Sequence, residues 1–129
     1  MTDIPDHMRP DRSFQGLILT LQRFWAPEIL VVARDPEQGE HHWRARMFAP
    51  GIRVPEDPAT GSAIAAFGGW LAMKDPKADG AFAWSVDQGS EMGRPSRLDV
   101  SADKAGGQVT AVRVAGRAVL VSEGTLRLP

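Results

Sequence analysis

From residue 28 onward the apolar positions of this chain recur mostly at every second residue, the period of a strand with one buried face. "EILVVAR" (28–34) reads as a buried strand from its β-branched content, ended by the turn chemistry of "DPEQGE". "HHWRARMF" (41–48) places Trp43, Ala45 and Met47 on one face and Arg44 and Arg46 on the other, a half-exposed strand. "AFAWSV" (81–86), "RLDVS" (97–101), "QVTAVRV" (108–114), "RAVLVSE" (117–123) and "TLRL" (125–128) keep the same period. Gly93, Gly106-Gly107, Gly116 and Gly124 between them predict hairpins. Gly16 to Trp25 fits a short helix or a strand. Residues 1–14, broken by Pro5 and Pro10, read as a polar lead-in, which leaves a single domain over 15–129.

One segment breaks the period. Ile64, Phe67, Trp70 and Leu71 fall at helical spacing, and the other positions from Ala63 up to Met73 are Ala or Gly, Met73 itself excepted. No charge appears before Lys74, and Pro76 lies just beyond. The pattern predicts a helix from about Gly61 to Lys74, the most buried element, because a helix apolar all round is one that protein surrounds. Its small residues let strands approach closely, although Gly68 and Gly69 each cost ~1 kcal/mol against Ala. Strands around one buried helix describe an α+β domain with a curved, mostly antiparallel sheet.

Composition narrows the function classes. A net charge of −1 over 129 residues gives no electrostatic reason to expect nucleic acid or an anionic membrane as partner. The absence of cysteine removes disulfides, thiolate zinc sites and cysteine nucleophiles. The first residues lack a secretory pattern, and no uncharged apolar run reaches the ~20 residues of a bilayer crossing, so the cytoplasm is the expected location. His41 and His42 point to opposite strand faces and His7 is distant in sequence, a poor set for a metal. Trp25, Trp43, Trp70 and Trp84 are expected in the core rather than stacked on bases. Ser62 has no G-x-S-x-G context or upstream base to make it a hydrolase nucleophile.

The candidate chemistry lies where "EDPATGSA" meets the helix. The first turn of a helix leaves N–H groups without partners, and the macrodipole adds partial positive charge there. Thr60, Gly61 and Ser62 present such donors, and a small carboxylate fits them, with Asp57 placed to hydrogen-bond or exchange a proton with that ligand. The alternative is that Thr60 or Ser62 simply caps the helix while Asp57 complements the dipole. The spacing is not that of a nucleotide P-loop, since no Lys follows the Gly.

"RMFAPGIRVPEDPATGSA", then "DQGSEMGRPSRLDV", then the strands around "VAGRAVLVSEG", resemble the C-terminal half of the phenazine-biosynthesis PhzF-like family, from about Leu30 to the end. The resemblance implies a diaminopimelate-epimerase-like fold, in which two pseudo-symmetric halves each roll a sheet round a central helix. It implies a cofactor-independent, metal-free isomerase that moves a proton on a small carboxylate-bearing substrate. Asp57 then matches the acid that contacts substrate, Gly61 and Ser62 the residues whose N–H groups hold its carboxylate, and Thr60 lies in the same loop. Gln88, Gly89, Gly93 and Arg94 match a second motif with a structural or supporting role. The family's principal glutamate, near a Gly-Asn-Pro turn of the other half, has no counterpart here, and Glu56 belongs to the wrong loop to replace it. The expectation is half an isomerase, inactive as this chain alone, partnered by a second copy or a separately encoded N-terminal half. A binding domain without turnover and an interaction module are the other readings.

Overall fold

The structure, a computed structural model, describes residues 28–127. The lead-in, His7, the Gly16–Trp25 segment and residues 128–129 lie outside the described residues.

Strands β1 (Ile29–Arg34) and β2 (His42–Ala49) form an antiparallel hairpin closed by the expected turn, where Gly39 takes φ 130°. A 3-10 turn at Pro50–Ile52 then folds the chain back as β3 (Val54–Asp57), a short strand the hydrophobic period did not indicate. Helix α1 (Gly61–Lys74) follows, and then β4 (Gly80–Gln88), β5 (Ser96–Ala105) and β6 (Gln108–Gly116). The six strands make one mixed sheet, in the order β1-β2-β4-β5-β6 with β3 paired to β2. β2 and β4 are parallel and the other pairs antiparallel. A parallel pair needs a crossover, and the segment carrying α1 supplies it. The α+β architecture follows, with the sheet open rather than closed.

Alternation decides which side of the sheet meets the helix. Val86 from β4, Leu98 and Val100 from β5, and Ala45 from β2 join Ile64 of α1 in the core. Gly68 marks the closest approach: a Cβ there would overlap the Val100 side chain, so β5 can lie this near only with glycine in the helix. Gly69 faces Val112 at an ordinary 3.4 Å and carries no such demand. At the helix C-terminus, the buried Lys104 continues the inward phase of Leu98, Val100 and Ala102. Its Nζ donates to the Asp75 carbonyl at 2.9 Å, a cation placed where the helix end leaves carbonyls without partners. Gly106 and Gly107, at φ 58° and 78°, make the predicted tight turn between β5 and β6.

Three expectations are corrected. Among the described residues protein does not surround α1 on every side: it packs on β4, β5 and β6, while Trp70 is 50% and Met73 67% exposed. Trp70 is thus a half-exposed ring stacked on Phe67 rather than a core residue. Trp43 is partly buried and meets Phe67 edge-on, and Trp84 is partly buried beside Phe82. Finally, residues 117–127 form no strand. Val119, Leu120, Val121 and Leu126 are 82–90% exposed, and Gly116 ends β6 instead of opening a hairpin. A period-two segment becomes a strand only when a neighbouring strand takes its N–H and C=O groups, and none among the described residues does so here.

The outer face of β2, β4 and β5 is held by polar pairs. Arg97 Nε and Nη2 donate to Asp87 at 2.9 and 3.2 Å, and the buried His42 lies 3.0 Å from the same carboxylate. The Arg97 hydrogen bond, aided by His42 and opposed by partial burial, holds the Asp87 carboxyl below the usual carboxylate range. A depressed folded-state value stabilises the fold above the unfolded-state value of about 3.9 and is lost as pH falls through the folded one.

Gly68→Ala is therefore expected to cost ~1–3 kcal/mol in urea titration despite the better helix propensity of alanine, whereas Gly69→Ala should be neutral or slightly stabilising. Asp87→Asn should remove part of the stability lost on acidification below about pH 4, so urea midpoints should fall less steeply with pH than in the unmodified chain.

Candidate functional site at the helix N-terminus

Two strands position the loop ahead of α1. β3 pairs with the end of β2, Met47 opposite Asp57, so the acid occupies the last rung of that ladder. Pro58 then leaves the strand, and Thr60 takes the N-cap position at φ −107°, ψ 85°. From the other side β4 ends in Gln88, 1% exposed. Its Nε2 donates to the Asp57 carbonyl at 2.6 Å and to Thr60 Oγ1 at 3.0 Å, and its Oε1 accepts from the Thr60 N–H at 3.3 Å. One carboxamide thus satisfies the backbone on both sides of Pro58-Ala59. Gln88 continues the inward phase of Phe82, Trp84 and Val86, and a polar residue at that phase was the sequence signal for this bond.

The residues after Gln88 form a brace. Gly89, at φ 79°, is packed so closely that a Cβ would overlap the Arg94 carbonyl and press on the Pro58 backbone. Its own carbonyl accepts from Met92 N at 3.2 Å and Arg94 N at 2.9 Å, and Gly93 takes φ 70°. The Arg94 side chain is exposed. Met92, Gly93 and Arg94 shape the turn that holds Gly89 against Pro58.

Thr60 makes no side-chain cap bond. Its hydroxyl instead donates to Asp57 Oδ2 at 2.6 Å while accepting from Gln88, so its single proton is committed. Gly61 and Ser62 are exposed at the start of the helix. Asp57, Thr60 and Ser62 line a cleft of about 460 Å³ with Met47, Ala49, Ile52, Val54 and Ala63. The cleft has apolar walls, Asp57 beside a helix N-terminus, and a second carboxylate, Glu28, in its lining. Its apolar lining comes from β2, β3 and the 3-10 turn, which sequence pattern did not bring to this place.

Glu56 is held elsewhere. Arg46 Nε and Nη2 donate to its two carboxylate oxygens at 2.8 and 2.9 Å, and that pairing raises the already high Arg46 value further. His41 and His42 are separated as expected, with His42 turned to Asp87 and His41 exposed.

A mixed sheet carrying one helix, with an acid-bearing loop braced at the helix N-terminus, defines a small α+β unit with a cleft at the helix start. The chain belongs to the phenazine biosynthesis-like protein family, whose sequence profile matches residues 8–124. It is 42% identical over 96 residues to an uncharacterized isomerase of Mesorhizobium japonicum, covering 74% of this chain and 32% of that protein. It is 43% identical over 83 residues to the trans-2,3-dihydro-3-hydroxyanthranilate isomerase of Pseudomonas aeruginosa, covering 64% of this chain and 30% of that enzyme. An uncharacterized isomerase of Escherichia coli is 31% identical over 85 residues, 64% of this chain and 29% of that protein. The matched part of the chain thus spans about three-tenths of the length of these relatives.

Gln88→Leu should leave the Asp57 carbonyl and the Thr60 N–H without their partner, at a cost of ~1–3 kcal/mol. Urea titration measures the loss, and faster amide exchange at Thr60 to Ser62 should locate it in this loop rather than across the sheet.

Proposed function

We propose that this chain is one half of a cofactor-independent isomerase, supplying the loop that holds the carboxylate of a small substrate and one acid for proton transfer. The observation that carries the reading is the loop itself. The Thr60 hydroxyl is committed to Asp57 and makes no cap, Ser62 lines a cleft that Asp57 also lines, and Gly61 is exposed beside it at the first turn of the helix. An anionic group seated on their N–H groups gains both hydrogen bonds and the favourable end of the helix dipole. Seating it there fixes which carbon of the ligand faces Asp57.

Moving a proton between two carbons takes a base to remove it and an acid to deliver it at the second position. Asp57 performs one of these roles, and the Thr60 hydrogen bond holds its carboxylate at a set angle. The second group, a glutamate in the family resemblance, comes from polypeptide outside these 129 residues. Gln88, Gly89, Gly93 and Arg94 act on the ligand only through the loop they brace.

Titration with small cyclic carboxylates, followed by backbone amide shifts, tests the binding step. Gly61 and Ser62 should move first, and silence there with shifts elsewhere would return the helix start to a structural role. Deuterium incorporation from heavy water into the same acids tests the chemistry. The chain alone should give none, and incorporation abolished by Asp57→Asn would show instead that one acid suffices. Binding at the loop that stays inert when a complementary half is added would favour a binding domain without turnover.

A further inference from the structure

Glu56 and Asp57 are consecutive acids of β3, and the strand turns only one of them into the cleft, because successive side chains face opposite ways. Met47 and Asp57, opposite each other on the β2–β3 ladder, both line the cleft. Arg46 and Glu56, each one residue earlier in its strand, meet on the other face, where the guanidinium donates to both carboxylate oxygens at 2.8 and 2.9 Å. The backbone does little to fix that choice. β3 is 4 residues long, and where β2 takes a step of two, from Met47 to Ala49, β3 takes a step of three, from Asp57 to Val54. Pro55 within that step has no N–H to offer the ladder. A slip of one residue would present Glu56 to the cleft and turn Asp57 away. Gln88 holds the Asp57 carbonyl, and the Thr60 hydroxyl bonds the Asp57 carboxylate only once that carboxylate lies on its side.

We propose that Arg46 is a positioning residue: by holding Glu56 on the far face of β3, it selects Asp57 as the acid that this strand gives to the cleft. The inference rests on the binding role proposed for the loop. The pair is largely removed from water, with the Arg46 and Glu56 side chains 24% and 16% exposed. Phe48, buried and on the same face of β2, backs it, its ring centroid 5.0 Å from the guanidinium carbon. A planar fork that meets two carboxylate oxygens fixes direction as well as distance, which a point charge does not. Breaking such a pair leaves one charge without compensation, so the pair specifies register more than it adds stability. Deprived of Arg46, Glu56 regains water by turning toward the cleft, and β3 then carries Asp57 out of it.

The side-chain carboxyl carbon shifts of Glu56 and Asp57, followed while benzoate or cyclohexanecarboxylate is titrated into the full chain, read which acid faces the ligand. In the unmodified chain Asp57 should respond together with the Gly61 and Ser62 amides, and Glu56 should stay still. In Arg46→Gln most of the Asp57 response should be lost, and Glu56 should respond in its place. Reversing the pair with Arg46→Glu and Glu56→Arg should bring the Asp57 response back. Lower stability alone would weaken both signals without exchanging them. Should Arg46→Gln not fold, Arg46→Lys, which keeps the charge and loses the fork, reads the same exchange. An undiminished Asp57 response in the folded single variant would overturn the proposal, as would a folded charge-reversed pair in which Asp57 stays silent. Gly61 and Ser62 amides that ignore both acids in the unmodified chain would instead overturn the reading of the loop, and the proposal with it.

Discussion

A single buried carboxamide, that of Gln88, ties the loop to the scaffold. It reaches from the end of β4 to the Asp57 carbonyl and the Thr60 N–H, so the last strand residue and the helix N-cap cannot move independently. Buried polar groups are worth little when satisfied and cost much when orphaned, so the bond acts chiefly as a constraint. Lys104 performs the matching task at the other end of α1, bonding the Asp75 carbonyl. The helix is thus tied at both termini by polar residues that occupy inward-facing positions on adjacent strands.

Between those ties the helix is set by Gly68, whose missing Cβ lets Val100 sit against the helix backbone. The close approach fixes the depth of α1 over β5 and, through it, the height of its N-terminus over the cleft. Gly89 does the same for the loop, since only glycine admits both the Pro58 backbone and the Arg94 carbonyl. Two glycines and two buried polar side chains account for how the acid of β3 comes to lie beside the first turn of the helix.

The same arrangement explains why the molecule is one-sided. The inner face of β4 and β5 has its helix, but the flank of α1 bearing Trp70 and Met73 remains exposed, and among the described residues the apolar run after Gly116 has no strand beside it. The matched region spans about three-tenths of the length of its isomerase relatives.

Local pattern determined what depends on near neighbours: the helix over Gly61–Lys74, the strands from Ile29 to Gly116 other than β3, the Gly106-Gly107 turn, and the motif residues from Asp57 to Ser62 and from Gln88 to Arg94. Period, turn chemistry and helix termini are short-range properties, and the resemblance of "EDPATGSA" and "QGSEMGRPS" rested on residues close in sequence. Tertiary structure decided everything that needed two distant segments. It made β3 a strand by pairing it with β2, brought Gln88 across to a loop 31 residues earlier, and bound Glu56 to Arg46. Among the described residues it also left 117–127 without strand pairing despite its strand period, because a strand is defined by the neighbour that accepts its backbone hydrogen bonds. Alternation along one segment cannot say where that neighbour lies.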